Sequence, residues 1–461
     1  MKKSNTFLIA KTIGLRVLLT YIFTWIFAFI LVLPRLLRGT FSWTKLWDRM
    51  LDLVSFSGFL IAVHIAFVVF YILLLCGRYF YFVYKNKGFK GFLKQVSFRF
   101  FMPIFLLILL YQGIVYSNTY EDFNFNWDTT IENNSGFSKD NYAKDQKQRG
   151  MSVFGLDAKN DVEIEELVKN NIEWVAVVPF LYQKNQFTKT MNVPEDSKDW
   201  SARDSSFINI IKSLHKKKIR VMLKPHLWMN DGWRSNVTLN SPEEWDVWFE
   251  SYQINMLRYA KMAAENKVEL FCIGTELKSS LKNAPEQWIS LVKEIKTIYK
   301  GKLTYAANWD GEFNLVPFWD QMDFLGIQAY FPLTKHVKPE LDEIKNGWDR
   351  HIVNLEELSA IHQKPILFTE IGYRSDVSTT IKPWEWNDFG NVFFEKKSNR
   401  TQQLAYEAMF QKLWVKPWFA GTYIWQWDTR SEPDSTHESL DFTPRFKPAL
   451  NTISKWYAKE L

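Results

Sequence analysis

The 461-residue chain has only two cysteines, Cys76 in an apolar segment and Cys272 inside an apolar, strand-like run. Two isolated cysteines exclude a disulfide framework and a cysteine metal site. The seven histidines show no paired spacing such as His-Glu-x-x-His, so we expect no catalytic metal and no other cofactor. The sequence also lacks a glycine-rich dinucleotide fingerprint and a phosphate loop, which removes the main support for an open nucleotide-binding sheet.

Excess positive charge is confined to the N-terminal quarter of the chain. The formal net charge is +7, but residues 1–118 hold fourteen Lys and Arg against two acids, Asp48 and Asp52. The remaining residues therefore carry a net charge of −5. We expect no nucleic-acid-binding surface on them, and the basic N-terminal part needs a separate explanation.

Three long apolar runs, at 17–33, 54–76 and 99–116, provide that explanation. Each approaches the ~20 residues that a helix needs to cross a bilayer. The first run has the basic start of a signal peptide, but Pro34 and two arginines follow it instead of a small-residue cleavage site. The sequence therefore predicts three transmembrane helices within 1–118, a lipid bilayer as partner and a multi-pass location in the cytoplasmic membrane.

The basic residues also predict an orientation. The segment between the second and third runs is rich in Lys and Arg, whereas the residues after 118 open with Glu121 and Asp122. The positive-inside rule places that segment in the cytoplasm and the C-terminal part outside it, in a periplasm or at the cell surface. Residues 119–148 are polar without a sustained period, and we interpret them as a linker; the alternative is an ordered first loop of the globular domain.

Residues 149–461 alternate apolar, strand-like runs with amphipathic helical stretches, and only the fifth run lacks a clear helix after it. This alternation predicts a parallel sheet, and eight units favour a closed barrel over an open doubly wound sheet. The predicted fold is α/β, a (β/α)8 TIM barrel preceded by three transmembrane helices. The eight predicted strands span 151–154, 174–180, 221–225, 268–275, 303–308, 324–330, 366–370 and 420–425.

Two of these predicted strands end on a carboxylate, the fourth on Glu276 and the seventh on Glu370. The carboxyl ends of barrel strands meet at one face, where the active sites of such barrels lie. Cleavage of a glycosidic bond needs a protonated acid at the leaving oxygen and an ionised carboxylate at the anomeric carbon. We therefore predict that Glu276 and Glu370 are catalytic, although most glutamates are solvated surface charges.

The same strand ends supply aromatic and polar side chains, which suit the apolar faces and the hydroxyl groups of sugars. The alternative roles are a structural histidine at position 226 and ordinary core packing for the aromatic residues. The predicted substrate-binding residues are Lys224, His226, Trp228, Asn308, Trp309, Tyr330, Trp425 and Trp427.

Over about residues 149–461, the chain resembles the clan A retaining glycoside hydrolases, and within them family 113, known for endo-acting β-1,4-mannanases. The motifs that carry the resemblance are GMSVFG, LKPHLW, IGTEL, FLGIQAYFPL, FTEIGYRS and YIWQWD. The resemblance implies that Glu276 is the general acid/base and Glu370 the nucleophile. It also implies that Tyr330 donates a hydrogen bond to the nucleophile.

The resemblance further implies that Trp425 forms the floor of the subsite for the sugar under attack, while Lys224 and His226 line the glycone side. Most of the clan has Asn immediately before the acid/base, where it binds the sugar 2-hydroxyl. This chain has Thr275 there, which leaves the 2-hydroxyl contact unassigned, with Asn308 as a candidate.

The main functional hypothesis is a membrane-anchored retaining glycoside hydrolase that cleaves β-linked hexose polymers, with β-1,4-mannan or mannooligosaccharides as the favoured substrate, by double displacement. One alternative is a transglycosylase that acts on a cell-surface glycan. Another is a non-catalytic glycan-binding barrel, against which the presence of both glutamates argues. The oligomeric state is undetermined by the sequence.

Overall fold

The computed structural model describes residues 2–37, 43–55, 57–121, 132–156, 161–192, 198–386, 395–430 and 440–460. The chain divides into two compact units, Met1–Gln112 and Gly113–Leu461.

The N-terminal unit is helical. It contains helices α1 (Lys2–Leu37), α2 (Trp43–Ser55) and α3 (Ser57–Val96), a π-helical turn at Ser97–Phe101, and the first part of α4 (Met102–Thr119). Within α3, Gly88 leaves helical geometry with a φ of 63°.

One helical run in the described part of the chain, Gly58–Thr119, is long and apolar enough to cross a membrane, and Leu18–Pro34 is a shorter apolar helix. The prediction of three separate transmembrane helices is therefore wrong for the described residues. The basic segment between the second and third predicted spans is helical on both sides of Gly88, where two helices meet, so both spans are counted in this single run. No proline occurs between Gly77 and Phe98 to end a helix there.

The second unit contains the predicted closed barrel, which the structure confirms. All pairings between its eight strands are parallel, in the order β1-β2-β4-β6-β7-β8-β9-β10 and back to β1. The strands in chain order are β1 (Gln148–Phe154), β2 (Trp174–Val177), β3 (Phe180–Asn185), β4 (Arg220–Leu223), β5 (His226–Asp231), β6 (Leu270–Thr275), β7 (Lys302–Asn308), β8 (Phe324–Gln328), β9 (Ile366–Ile371) and β10 (Phe419–Asp428).

Helices follow most barrel strands and cover the barrel from outside. They are α6 (Asp161–Lys169), α7 (Lys198–Lys216), α8 (Pro242–Glu265), α9 (Lys278–Asn283), α10 (Pro285–Ile298), α11 (Leu341–His362), α12 (Asn399–Met409) and α13 (Pro448–Ala458), with a short α5 (Tyr142–Asp145) before β1. The strand β7 is followed only by 3-10 turns at Glu312–Asn314 and Trp319–Gln321, as the missing helical pattern after the fifth predicted strand indicated.

The second and third barrel strands extend beyond the barrel as a separate parallel pair, β3 and β5. The strands predicted at 174–180 and 221–225 end near the start of this pair, which the sequence did not predict. Pro179 and Pro225 stand at the breaks, and because proline has no N–H to donate, the strand ladders are interrupted there. The extension carries Phe180, His226 and Trp228 past the end of the barrel.

Side chains alternate along the strands between two apolar layers. On β2, Trp174 and Ala176 belong to a cluster inside the barrel, whereas Val175 and Val177 belong to the larger layer between strands and helices. This packing holds the strand ends, and the residues on them, in fixed positions.

The segment predicted as a linker contains ordered residues. The backbone N–H of Ser138 donates to Lys217 O at 2.9 Å, and Glu173 accepts the N–H groups of Asn141 and Tyr142 at 3.0 Å each. Its described residues, 119–121 and 132–148, therefore include groups bonded to the barrel unit, as in the alternative of an ordered first loop. The domain boundaries at 118 and 148 stay predictions.

Candidate active site

Glu370 lies on β9, the seventh strand of the barrel, and is almost completely buried. Its Oε1 atom lies 2.6 Å from Lys224 Nζ and 3.2 Å from His226 Nε2. Its Oε2 atom accepts a hydrogen bond of 3.0 Å from the Tyr330 hydroxyl. Three side chains from the ends of two other barrel strands, the third and the sixth, therefore meet on this one carboxylate.

Lys224 is fully buried. Besides Glu370, its Nζ atom donates to Gln328 Oε1 at 2.8 Å and to Thr369 O at 3.0 Å. These contacts use all three donors of the ammonium group inside the protein. The expectation that Lys224 lines the sugar-binding surface is therefore corrected, because its side chain instead orients Glu370.

The pKa of Glu370 is set by opposing effects. Burial raises it, but the Lys224 ammonium and the contact with His226 outweigh burial, so the pKa lies well below its ordinary value. Burial lowers the pKa of His226 to about 4, although the Glu370 carboxylate opposes this shift. At neutral pH, Glu370 is ionised and His226 is neutral.

Glu276 directly follows β6, the fourth barrel strand, and is buried. Its φ of 54° is left-handed, a conformation that residues other than glycine rarely adopt and that occurs where surrounding contacts enforce it. Its Oε1 atom accepts a 2.7 Å hydrogen bond from Asn308 Nδ2, and its Oε2 atom is paired with the guanidinium of Arg234. Asn308 therefore holds Glu276 directly.

The pKa of Glu276 is raised. Burial is the largest cause; the Arg234 charge opposes it, and the negative charge of Glu370 adds to it. The two carboxyl groups are thus shifted in opposite directions by different surroundings, a pattern that separates an acid from a nucleophile or base.

Aromatic rings lie beside Glu370. Trp425 on β10 stacks parallel to His226, with ring centroids 6.1 Å apart and an interplanar angle of 7°. Trp228 on β5 is 52% exposed and packs edge-on against Phe180 at 5.9 Å. The β3–β5 extension and β10 therefore present aromatic surface around the glycone side of the predicted site.

A second aromatic group lies near Glu276. Trp309, which follows Asn308, stacks on Trp384 at 4.9 Å, and Trp386 packs edge-on against Trp425 at 6.2 Å. Trp384 is 39% and Trp386 57% exposed. Sequence analysis missed both, although two tryptophans in the short loop motif KPWEW were a signal, since exposed aromatic residues on loops often bind ligands.

The prediction that Trp427 binds substrate is corrected by its burial. Trp427 is completely buried, belongs to the apolar layer between strands and helices, and lies 5.6 Å from the guanidinium of Arg445. Its ring has no surface to offer a sugar.

Three polar residues around Glu276 were also missed. Arg234 lies in a 3-10 turn after β5, where no periodic pattern singles it out. Tyr305 is inside β7, where an apolar run conceals its hydroxyl group. Glu312 opens the 3-10 turn after β7, and burial raises its pKa to about 7.

In the part of the chain that the structure describes, no group of three or more His, Cys, Asp and Glu side chains could hold a metal ion. The described site chemistry is that of carboxyl, ammonium, imidazole and phenol groups. The absence of a cofactor stays a prediction.

Comparison with known proteins decides the family. The model of Glycoside Hydrolase Family 113 matches residues 154–444, more than half of the chain. The chain belongs to glycoside hydrolase family 113. It therefore carries a glycoside hydrolase domain, and this family implies a polysaccharide substrate.

Solved family 113 structures share the barrel fold. A structure of a family 113 β-1,4-mannanase complex is 24% identical with a TM-score of 0.58, and the match covers 68% of this chain and 98% of that one. The family 113 β-mannanase of Alicyclobacillus acidocaldarius in complex with ManMIm gives the same identity and TM-score, covering 68% and 97%. None of the curated proteins compared with the chain matches it.

Proposed function

We propose that this chain is a retaining glycoside hydrolase that cleaves β-1,4-mannan or mannooligosaccharides by double displacement. One observation carries the proposal: the pKa of Glu276 is raised and that of Glu370 is lowered at the ends of the fourth and seventh barrel strands. Double displacement needs a protonated acid and an ionised nucleophile at the same time, and this pair supplies both at one pH. The β-mannanase activity named for the solved relatives supports mannan as the substrate.

In the first step, Glu370 attacks the anomeric carbon of the sugar that lies over Trp425. The glycosidic bond breaks, Glu276 gives its proton to the departing oxygen, and a covalent glycosyl ester forms on Glu370. As the carboxylate loses its charge to the new bond, the hydrogen bond from Tyr330 and the contact with Lys224 keep its geometry fixed.

In the second step, the ionised Glu276 accepts a proton from water as the water attacks the same carbon. The ester breaks, Glu370 leaves as a carboxylate, and the product keeps the β configuration. Lys224 and Tyr330 stabilise the returning negative charge. The enzyme then has its original protonation state.

The test uses the full-length chain, purified in detergent, on β-1,4-mannan oligosaccharides with β-glucan oligosaccharides as controls. NMR during hydrolysis is expected to show β-anomer released first by the wild type, and none by Glu370→Ala. Release of α-anomer would refute retention, and full activity of Glu370→Ala would refute the nucleophile.

Glu276→Ala separates the roles of the two carboxyl groups. A general acid contributes about 10²- to 10⁴-fold to the rate when the leaving group is poor. We expect that loss on mannooligosaccharides and a much smaller one on a dinitrophenyl glycoside, whose leaving group needs no proton. Equal losses on both substrates would contradict the assignment.

Transglycosylation is a second candidate, favoured by the stacked Trp309 and Trp384. Trp309 follows Asn308, which holds Glu276, so the exposed surface of Trp384 lies on the leaving-group side, where an acceptor sugar binds. Analysis of products with and without added acceptor oligosaccharide distinguishes the two: longer products formed at the expense of hydrolysis indicate transfer.

We propose further that the helical run Gly58–Thr119 anchors the protein in the cytoplasmic membrane, with the barrel outside the cytoplasm. The cluster of Lys and Arg residues at 78–99 and the lack of basic residues directly after Thr119 support this orientation. Lys261 is 71% exposed on the barrel unit, so Lys261→Cys tests the proposal. Labelling by an impermeant maleimide in intact cells is expected; labelling only after permeabilisation would reverse the orientation.

A further inference from the structure

Glu276 is part of a closed circuit of buried hydrogen bonds. The residue after it, Leu277, donates its backbone N–H to the Tyr305 hydroxyl at 2.9 Å. That hydroxyl donates to Glu312 Oε1 at 2.6 Å. Glu312 Oε2 accepts the backbone N–H of Asn308 at 3.1 Å. Asn308 Nδ2 in turn donates to Glu276 Oε1 at 2.7 Å, which closes the circuit.

This circuit, hereafter the Glu312 circuit, controls both ends of Glu276. Through Tyr305 it fixes the peptide group that follows the left-handed backbone at Glu276. Through Asn308 it fixes the carboxyl oxygen. Tyr305 and Glu312 are completely buried, so in this structure the circuit is shielded from solvent that could replace its bonds.

The circuit requires two acceptors at position 312. The Tyr305 hydroxyl already accepts the Leu277 N–H, so its single proton must go to Glu312, and the Asn308 N–H also points at Glu312. A carboxylate accepts both donors. A glutamine has the same shape but only one acceptor oxygen, so its NH₂ group would face one of the two donors.

We propose that Glu312 is a positioning residue that aligns Glu276 for proton transfer to the leaving group. The inference rests on the proposed function, in which Glu276 is the general acid/base. Glu312 does not contact the reacting atoms, so its effect must pass through the left-handed backbone and through Asn308. The charged groups around the circuit are Glu276 itself, Arg234, which is paired with it, and Asp310, which is paired with Lys278 at 2.9 Å.

The barrel offers a matched control at its opposite end. Glu173 precedes β2, is completely buried and accepts two backbone N–H groups at 3.0 Å, as Glu312 accepts two donors. Burial raises the pKa of both carboxyl groups to about 7. Glu173→Gln therefore removes a buried carboxylate that accepts two hydrogen bonds, as Glu312→Gln does, but leaves the Glu312 circuit intact.

The experiment measures kcat/KM of the full-length chain on aryl β-mannobiosides whose leaving-group pKa varies, for the wild type, Glu312→Gln and Glu173→Gln. Misplaced acid groups cost most when the leaving group is poor, and misplacement by about 1 Å costs on the order of 10²-fold. For Glu312→Gln we expect roughly a 10- to 100-fold loss on a methylphenyl leaving group and little loss on dinitrophenyl. Glu173→Gln is expected to keep the wild-type dependence on leaving group.

Tyr305→Phe removes the hydroxyl group that makes two other hydrogen bonds of the circuit, so it tests the inference if Glu312→Gln does not fold. It is expected to steepen the leaving-group dependence in the same way. Equal loss across the series, or the wild-type dependence in a folded variant, would overturn the inference and leave the proposed function intact. A wild type inactive on every aryl mannobioside and oligosaccharide would overturn the proposed function and the inference with it.

Discussion

Lys224 Nζ lies 2.6 Å from Glu370 Oε1, and both side chains are buried. Buried ion pairs persist where further hydrogen bonds satisfy their charges, and here Gln328 and Thr369 supply them. The charge of the proposed nucleophile is therefore fixed by the protein before any sugar binds.

Lys224→Met removes the cation that holds the pKa of Glu370 low. Without it, burial dominates and that pKa rises, by about 1 to 3 units if one close charge is lost. Because Glu370 must be ionised to attack, the acidic limb of the kcat/KM profile against pH is expected to move to higher pH. Lys147→Met, at a buried lysine before β1, is the control and should leave that limb in place. An unmoved acidic limb in Lys224→Met would disprove the role.

Arg234→Gln is expected to shift the opposite limb. Arg234 opposes the raised pKa of Glu276, so its removal raises that pKa further. Because Glu276 must be protonated in the first step, activity persists to higher pH and the basic limb moves upward. Arg220→Gln, which removes a cation at the start of β4, should not move it. Movement of the basic limb to lower pH in Arg234→Gln would contradict the assignment.

Trp425→Phe and Trp427→Phe make a matched pair on one strand. Phenylalanine keeps an aromatic ring but lacks part of the indole surface. Because aromatic stacking contributes ~0.5 to 1.5 kcal/mol in all, we expect Trp425→Phe to lower kcat/KM by more than twofold and at most roughly 12-fold. Trp427 packs in the apolar layer, so Trp427→Phe should lower stability by roughly 1 to 3 kcal/mol while kcat/KM stays within about twofold. Kinetics and thermal melts on both variants test this. A loss of kcat/KM in Trp427→Phe and a loss of stability alone in Trp425→Phe would instead place Trp427 in the substrate-binding site.

Glu173→Gln should change how stability depends on pH. The pKa of Glu173 is about 7 in the folded chain and lies near its ordinary value of 4.5 when unfolded. Between these values the unfolded chain holds fewer protons, so stability falls as pH rises through this window, by on the order of 3 kcal/mol. We expect the melting temperature of Glu173→Gln to fall less than that of the wild type between pH 5 and pH 8. Glu165→Gln, at an exposed position, should follow the wild type.

The barrel strands were predictable because each is a short apolar run and all but the fifth have a helical pattern after them. The positions of Glu276 and Glu370 were predictable because each lies at the end of such a run. Two predicted strands extend past the end of the observed barrel strand, and a proline lies at each of these places. Pro179 and Pro225 separate the β3–β5 extension from the barrel. The helical residues on both sides of Gly88, between the predicted second and third spans, were missed because basic residues were taken as evidence of a loop, although Lys and Arg are good helix formers.

The contacts of Glu276 could not be predicted. Arg234 pairs with it from a separate loop, whereas Tyr305 and Glu312 act on it through Leu277 and Asn308. These pairings depend on three-dimensional closure of the barrel. Trp427 is the opposite case, in which the sequence suggested a substrate contact that the structure does not provide. The sequence placed it at the same strand end as Trp425, and only packing shows that the two rings lie in different layers.

The fifth barrel unit replaces an outer helix with 3-10 turns, and Phe313, Phe318 and Trp319 in this region are buried. The same short stretch supplies Glu312 to the circuit. Insertions there would disturb folding and chemistry together, so variation in sugar preference is best introduced elsewhere. Libraries built on the loop that carries Trp384 and Trp386 can alter which polymers enter the cleft while the side chains that hold Glu276 stay unchanged.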